Sequence, residues 1–175
     1  MKIEDTPQPI CQPEIKFDYP SWLRYQDLSH GIVRVDETIR ELSSNRILGE
    51  INQIKRQQRP EMTLIISSPG GGAYYAFAIY DALRVLSKSG TKIKAIVEGW
   101  AASAASMIIL QAADIRLSHA SARFLLHECR RWVFFAIERT TDLKDEVKEM
   151  DAITSRILDI LSKRCGKTKS EVRKK

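Results

Sequence analysis

Two strand-like segments, each leading into a turn of small residues and then a helix-like segment, constrain the fold most strongly. Residues 62–66 form a continuous apolar run of the kind found in strands buried on both faces, and residues 92–97 are predicted to be the next buried strand. Between such strands, apolar residues recur at helical spacing. This alternation predicts an α/β domain with mainly parallel strand pairing. The predicted strands are residues 31–35, 62–66, 92–97, 115–117 and 123–126, and the predicted helices are residues 37–58, 73–87, 101–113 and 140–164.

The chain divides into an N-terminal arm and one domain. Residues 1–28 contain prolines and show no hydrophobic period, whereas regular patterns begin near residue 31. The full length of 175 residues is typical of a single domain. We therefore predict an arm at residues 1–28 and a domain at residues 29–175. Gly166 is expected to end the last long helix, and Ser170 is expected to cap a further one.

Composition argues against several classes of protein. No segment approaches the roughly 18 consecutive apolar residues of a membrane span, and the polar N-terminus lacks the apolar core of a secretory signal. The cysteines, Cys11, Cys129 and Cys165, are odd in number and lack the spacing of a metal site. We expect no metal, no membrane partner and free thiols in a reducing cytoplasm.

The net charge of +6 raises the question of nucleic-acid binding. Much of the excess lies at residues 55–59 and in the C-terminal stretch 163–175. Runs of like charge are usually solvated faces, so we expect no nucleic-acid partner.

Two turns that follow predicted strands have the composition of reactive sites. The first is the run SPGGG at residues 68–72, whose amides could stabilise an oxyanion. In the second, GWAASAAS at residues 99–106, Ser103 stands where a helix is predicted to begin, and small neighbours leave room for a substrate. Each turn has a plainer interpretation, as a tight turn or as a helix cap.

A serine nucleophile needs a base, and the base is most often histidine. The chain has three histidines. His30 and His119 lie in polar stretches, whereas His127 ends the apolar strand 123–126, at a sheet rim where functional residues gather. His127 is therefore the candidate base for Ser103.

Four motifs follow one another in order: SSPGG, AIYDAL, GWAAS and a strand that ends in His127. Together they resemble the proteolytic subunit of the Clp protease, the ClpP family, from about residue 31 to the end of the chain. The resemblance implies a ClpP/crotonase-like fold, a superhelix of β-β-α units with a protruding handle helix. It implies Ser103 as nucleophile, His127 as base, and the backbone amides of Gly71 and Ala104 as the oxyanion hole.

The same resemblance implies partners. Residues 140–164 are similar to the handle that joins two stacked heptameric rings. Family members degrade unfolded polypeptides delivered by a hexameric AAA+ ATPase unfoldase. The chain itself would need no cofactor, because the partner uses the ATP.

The sequence departs from the family at the third catalytic residue. The position of the family's aspartate falls a few residues past Lys175. We expect either a truncated version of a longer protein or an incomplete triad. In this chain His127 is then expected either to lack an acidic partner or to use a makeshift one such as Glu128. Loss of the orienting carboxylate costs about 10⁴-fold in turnover, so weak activity is expected.

Three functions are compatible with these features. The leading one is a serine endopeptidase subunit of an ATP-dependent Clp-like protease. The second is a catalytically weak or inactive structural subunit of the same barrel, which the missing aspartate favours. The third is a crotonase-type acyl-CoA enzyme, which uses glycine-turn amides but does not require Ser103 with His127.

Overall fold

The computed structural model describes residues 18–127 and 140–173, without the side chains of residues 140–143. Helices alternate with strands along most of this part of the chain. The helices are α1 Tyr19–Ser29, α2 Glu41–Arg56, α3 Ala73–Lys88, α4 Ala104–Met107, α5 Thr140–Cys165 and α6 Lys169–Arg173, with a 3-10 helix at Ile109–Ala112. The strands are β1 Ile32–Val35, β2 Glu61–Ser68, β3 Lys92–Ala102, β4 Ile115–Ser118 and β5 Arg123–Leu125.

The strands form one parallel sheet in the order β1-β2-β3-β4, and β5 pairs beside β4 with the last residues of β3. Leu64 pairs with Val33 on one side and with Ala95 on the other. Each of these side chains is buried, as expected for strands of a parallel sheet covered by helices. The predicted α/β fold with parallel pairing is confirmed.

The core lies where helices cover the sheet. Helix α2 buries Ile47, Ile51 and Ile54 on one face, which repeats at helical spacing. Helix α3 contributes apolar residues in the same way, and α5 adds Ile157, Ile160 and Leu161. Burying an aliphatic side chain of this size stabilises a fold by about 1.5–3 kcal/mol, so these three helices are firmly held by the core.

Helix α1 includes most of the described part of the predicted N-terminal arm. It lies beside β1, and Arg34 of β1 donates a hydrogen bond of 2.6 Å to Asp27 of α1. This bond raises the pKa of the Arg34 guanidinium. Because residues 1–17 lie outside the described part of the chain, the division at residue 28 stays a prediction.

The predicted start of the second helix is wrong. Helix α2 begins at Glu41, not at residue 37. Ile39, which the pattern placed on the helix, instead pairs its backbone with Gly71 in an isolated parallel bridge and is almost wholly buried. Leu42, also expected on the apolar stripe, is 85% exposed. Bonding of Ile39 to the glycine turn prevents residues 37–40 from joining the helix.

The prediction for residues 99–113 is also wrong. Gly99 does not end the strand, because β3 continues to Ala102, and no single helix covers residues 101–113. Gly99 has φ +75, which allows the strand to bend and then pair again, Ala101 with Ser68 of β2 and with Phe124 of β5. Helix α4 has only one turn, and a 3-10 helix follows it.

The C-terminal helix boundaries are partly as expected. Gly166 has φ +63 and directly follows α5, as predicted for a glycine that ends a helix. Ser170 does not cap α6, because the helix begins at Lys169. Thr168 takes that role: its hydroxyl accepts the Glu171 amide while the Glu171 carboxylate accepts the Thr168 amide.

No helix in the described ranges is long and apolar enough to cross a membrane. Cys165 is an exposed free thiol. Cys11, Cys129 and Glu128 lie outside the described residues.

Candidate active site

Ser103 occupies a strained position between β3 and α4. Its φ is +54 and its ψ is −126, a conformation that residues with a side chain rarely adopt. Such strain costs about 1–3 kcal/mol and persists only where the surrounding structure imposes it. The buried neighbours Ala102 and Ala104 hold the turn on both sides. The arrangement presents a serine at the carboxyl end of a central strand.

His127 lies beyond the end of the strand that neighbours Ser103. Ala102 pairs with Leu125 in the parallel ladder, and the Ser103 amide donates to the Leu125 carbonyl at 2.8 Å. His127 follows Leu125 by two residues. Since carboxyl ends of parallel strands meet at one edge of a sheet, the candidate nucleophile and base share that edge. Both line one cavity of about 1100 Å³.

The glycine turn after β2 borders the same cavity and is fixed by Ile39. The Ile39 amide donates to the Gly70 carbonyl at 2.8 Å, and the Gly72 amide donates to the Ile39 carbonyl at 2.9 Å. In a parallel bridge of this kind the central residue, Gly71, directs its own N–H away from the partner. Within the described residues no acceptor takes this N–H, so it is available to a ligand.

Ala104 provides a second available amide. It is the first residue of α4, and the first amides of a helix have no acceptor within it. Among the described residues none accepts a hydrogen bond from it. One cavity is lined by all four predicted site residues, Gly71, Ser103, Ala104 and His127. Two free donors beside a serine are the arrangement that stabilises an oxyanion.

Gly70 is a site residue that the sequence analysis missed. It has φ +86, and a Cβ at this position would lie 2.5 Å from the Ala102 carbonyl oxygen and 2.8 Å from the Ser103 Cβ. Only glycine lets the turn approach Ser103 this closely. The run of three glycines was a signal for such an approach, but it did not indicate which of them meets the serine.

Ser68 links this turn to the loop before α2. It is fully buried, and its hydroxyl donates to the Glu37 carbonyl at 2.6 Å while accepting the Gly70 amide at 3.1 Å. Arg46 of α2 holds Glu37 in turn, with 2.9 Å between guanidinium and carboxylate. Burial acts to lower the pKa of Arg46, but hydrogen bonds to Glu50 and Glu37 outweigh it and raise that pKa.

The rest of the cavity wall is mixed in character. Aromatic rings come from the start of α3, at Tyr74 and Tyr75, and apolar side chains come from α4 and α5. Carboxylates of α5, at Glu146 and Glu149, line it as well. Within residues 18–127 and 140–173, no group of three or more His, Cys, Asp or Glu side chains could hold a metal ion. A cavity that combines apolar walls with a few polar groups is typical of ligand-binding sites.

Comparison with known proteins identifies relatives of one kind. The model of the Clp protease family matches residues 22–175. The ATP-dependent Clp protease proteolytic subunit 1 of Streptomyces avermitilis is 29% identical over 118 residues, 66% of this chain and 52% of that protein. The chain thus spans about half the length of the Streptomyces relatives it matches. The ATP-dependent Clp protease proteolytic subunit of Cuscuta gronovii is 26% identical over 171 residues, 91% of this chain and 82% of that protein.

A solved structure shows the same fold. A point mutant of ClpP1 from Listeria monocytogenes superposes with a TM-score of 0.73, over 87% of this chain and 82% of that chain, at 19% identity. The expected ClpP-like fold is therefore confirmed.

Proposed function

Because the chain belongs to the Clp protease family, we propose that it is a serine endopeptidase subunit with Ser103 as nucleophile and His127 as general base. The observation that carries this proposal is the strained Ser103, which shares one cavity with His127 and with two backbone amides that bond to no acceptor among the described residues. The Streptomyces and Cuscuta relatives are named as proteolytic subunits, which supports the same reaction class.

The proposed reaction begins with attack of the Ser103 hydroxyl on the carbonyl carbon of a peptide bond. His127 accepts the hydroxyl proton, and negative charge develops on the carbonyl oxygen. The amides of Gly71 and Ala104 donate to that oxygen, a contribution typically worth about 10²–10³ in rate per donor. His127 then returns the proton to the departing amine, which leaves an ester on Ser103. Water, activated by the same imidazole, hydrolyses the ester and regenerates the serine.

The orienting carboxylate is not part of this proposal. The aspartate expected beyond Lys175 stays a prediction, and Glu128, the expected makeshift partner of His127, lies outside the described residues.

The proposal extends to assembly. The relatives are named as subunits of an ATP-dependent protease, and we propose that this chain also assembles into rings, stacked as pairs of heptamers through α5. Helix α5 exposes Val147 on its described surface, a residue that an interface would cover. Sedimentation of the full chain tests this point, and a 20 kDa monomer at all concentrations would contradict it.

Substrates, cofactors and location follow from the same proposal. Unfolded polypeptides are the proposed substrates, and an AAA+ unfoldase is the proposed partner that delivers them and uses the ATP. The chain itself then needs no cofactor, so hydrolysis of a short peptide should proceed without ATP. The cytoplasm is the proposed location.

Reaction with a fluorophosphonate probe tests the proposed chemistry, because such probes react with activated serines. We expect labelling of the native chain at Ser103, no labelling after Ser103→Ala, and at least about 10³-fold slower labelling after His127→Ala. Ser121→Ala and His119→Ala are matched controls, because both residues are exposed in the turn between β4 and β5. Absence of labelling in the native chain would favour a structural subunit or a crotonase-type enzyme instead.

A further inference from the structure

Ser106 is a buried serine in the turn that carries Ser103, and its hydroxyl has two acceptors within reach. The Oγ lies 3.0 Å from the carbonyl oxygen of Ser103 and 3.0 Å from that of Leu125. A hydroxyl has one proton to donate. The Ser103 carbonyl already accepts the amides of Ser106 at 3.1 Å and Met107 at 2.8 Å, which occupy its two lone pairs. The Ser106 hydroxyl is therefore expected to donate its proton to the Leu125 carbonyl oxygen.

The Leu125 carbonyl then accepts two donors, one from each end of the nucleophile turn: the Ser103 amide and the Ser106 hydroxyl. Leu125 is the last residue of β5, a strand of three residues with exposed side chains. Its ladder partner is β3, and no buried side chain anchors it. The hydrogen bonds at Leu125 therefore determine where β5 ends.

Ser106 is itself held in place. Its carbonyl accepts the side-chain amide of Gln111 at 2.8 Å, and the side-chain oxygen of Gln111 accepts Arg116 of β4 at 2.5 Å. Both Ser106 and Gln111 are buried, so water has little access to the bond between them. A hydroxyl fixed in this way can define the position of the carbonyl that it contacts.

We propose that Ser106 is a positioning residue for the peptidase site. Its hydroxyl holds the end of β5, and with it His127, at a fixed distance from the turn that carries Ser103. The inference rests on the proposed function, because positioning matters only if His127 acts on Ser103. One anchoring hydrogen bond would let the end of β5 pivot, whereas two donors from different residues prevent it. Misplacement of a base by about 1 Å can cost about 10²-fold in rate.

The test is Ser106→Ala, with Thr91→Val as the matched control. Thr91 is a buried residue whose hydroxyl also donates to a backbone carbonyl, that of Arg59 at 2.7 Å, but it precedes the opposite end of β3. We expect Ser106→Ala to slow fluorophosphonate labelling and lower kcat for a short peptide by about tenfold or more, with KM changed by less than about twofold. Thr91→Val should leave both within about twofold. Loss of one anchoring bond should also speed hydrogen exchange at the Ser103 amide by about fivefold.

Three outcomes would overturn the inference. They are a native labelling rate in Ser106→Ala, equal losses in Ser106→Ala and Thr91→Val, or a rise in KM with kcat unchanged. If Ser106→Ala does not fold, Ser106→Cys keeps the size of the side chain but donates weakly, and the same loss is expected. If the native chain is not labelled, the proposed function fails and the positioning role of Ser106 in catalysis fails with it. Hydrogen exchange at Ser103 then still shows whether Ser106 anchors β5.

Discussion

Gly70 packs directly against Ser103, so closely that a Cβ on Gly70 would lie 2.8 Å from the Cβ of the serine. The contact joins the glycine turn after β2 to the nucleophile turn after β3. It brings the amide of Gly71 and the amide of Ala104 to the same cavity. The distance between the two turns is therefore set by the absence of a side chain at one position.

Gly70→Ala should destabilise the protein and abolish fluorophosphonate labelling. A left-handed backbone costs an alanine about 1–2 kcal/mol, and overpacking against the Ala102 carbonyl adds about 1–3 kcal/mol. Gly90→Ala is the control, because Gly90 has φ +106 but no atom within 4 Å of its added Cβ. Denaturant unfolding of both variants isolates the packing cost. Equal losses of stability would mean that the close approach of the turns is unimportant.

Gly49→Ala should stabilise the protein. Gly49 lies inside α2, and an added Cβ would meet nothing within 4 Å. Alanine in a helix interior is more favourable than glycine by about 0.5–1 kcal/mol, since it loses less conformational entropy on folding. Thermal unfolding measures the gain, and the labelling rate at Ser103 should not change. A fall in stability would show that α2 does not extend through residue 49.

Ser68→Ala should weaken both stability and labelling. It removes a buried hydroxyl that bonds the Glu37 carbonyl and the Gly70 amide and leaves both without that partner, at a cost of about 2–3 kcal/mol. Ser89→Ala is the control, because its hydroxyl bonds the Leu86 carbonyl at a partly exposed helix end. Chemical denaturation and the labelling rate report the two effects. If Ser68→Ala behaves like Ser89→Ala, Ser68 does not support the glycine turn.

Asp114→Asn should reduce the loss of unfolding free energy that the protein shows as the pH is lowered. Burial acts to raise the pKa of Asp114, but hydrogen bonds from the Ile93 amide and the Ser87 hydroxyl, together with Arg84, lower it by more. The pKa of Asp114 is therefore lower in the folded state than in the unfolded state. The ionised carboxylate stabilises the fold fully above its unfolded-state pKa, and this contribution is lost as the pH falls through its folded-state pKa.

Unfolding free energies measured from about pH 6 to about pH 2 check this sign. The native chain should lose more stability over that range than Asp114→Asn. Asp145→Asn is the control, since Asp145 is an exposed residue of α5 that forms an ion pair with Lys148 at the surface. Parallel profiles for native chain and Asp114→Asn would contradict the assignment.

The sequence predicted the sheet well because buried parallel strands have a strong local signature. The apolar run around Leu64 can pack only in the interior, and the apolar residues that alternate in β3, such as Ala95, are buried as well. It predicted irregular segments poorly, since their conformation depends on distant partners. Ile39 fits a helical stripe, yet the carbonyl of Gly70 and the amide of Gly72 bind its backbone. Gly99 resembles a strand end, yet pairing with β5 carries the strand past it.

In the candidate site, too, residues with a local sequence signature were predictable, whereas contacts that depend on distant partners were not. The motifs indicated Ser103, His127, Gly71 and Ala104 as site residues; in the structure these four line one cavity, and their catalytic roles stay predictions. The supporting contacts of Gly70, Ser68 and Ser106 were not predictable. A small or polar residue in a turn has many possible partners, and only the folded chain selects one.

The two parts of the candidate site, the turn that carries Ser103 and the strand β5 that precedes His127, should open locally at different free energies. The nucleophile turn is built from buried alanines and opens only with the core, whereas β5 has three residues with exposed side chains. Segments with few buried contacts open at a free energy well below that of global unfolding. On warming, once the two hydrogen bonds at the Leu125 carbonyl break, β5 should therefore separate from β3 while Ser103 is still held in its strained turn. Loss of activity would then precede melting, and cooling would restore it without refolding of the core.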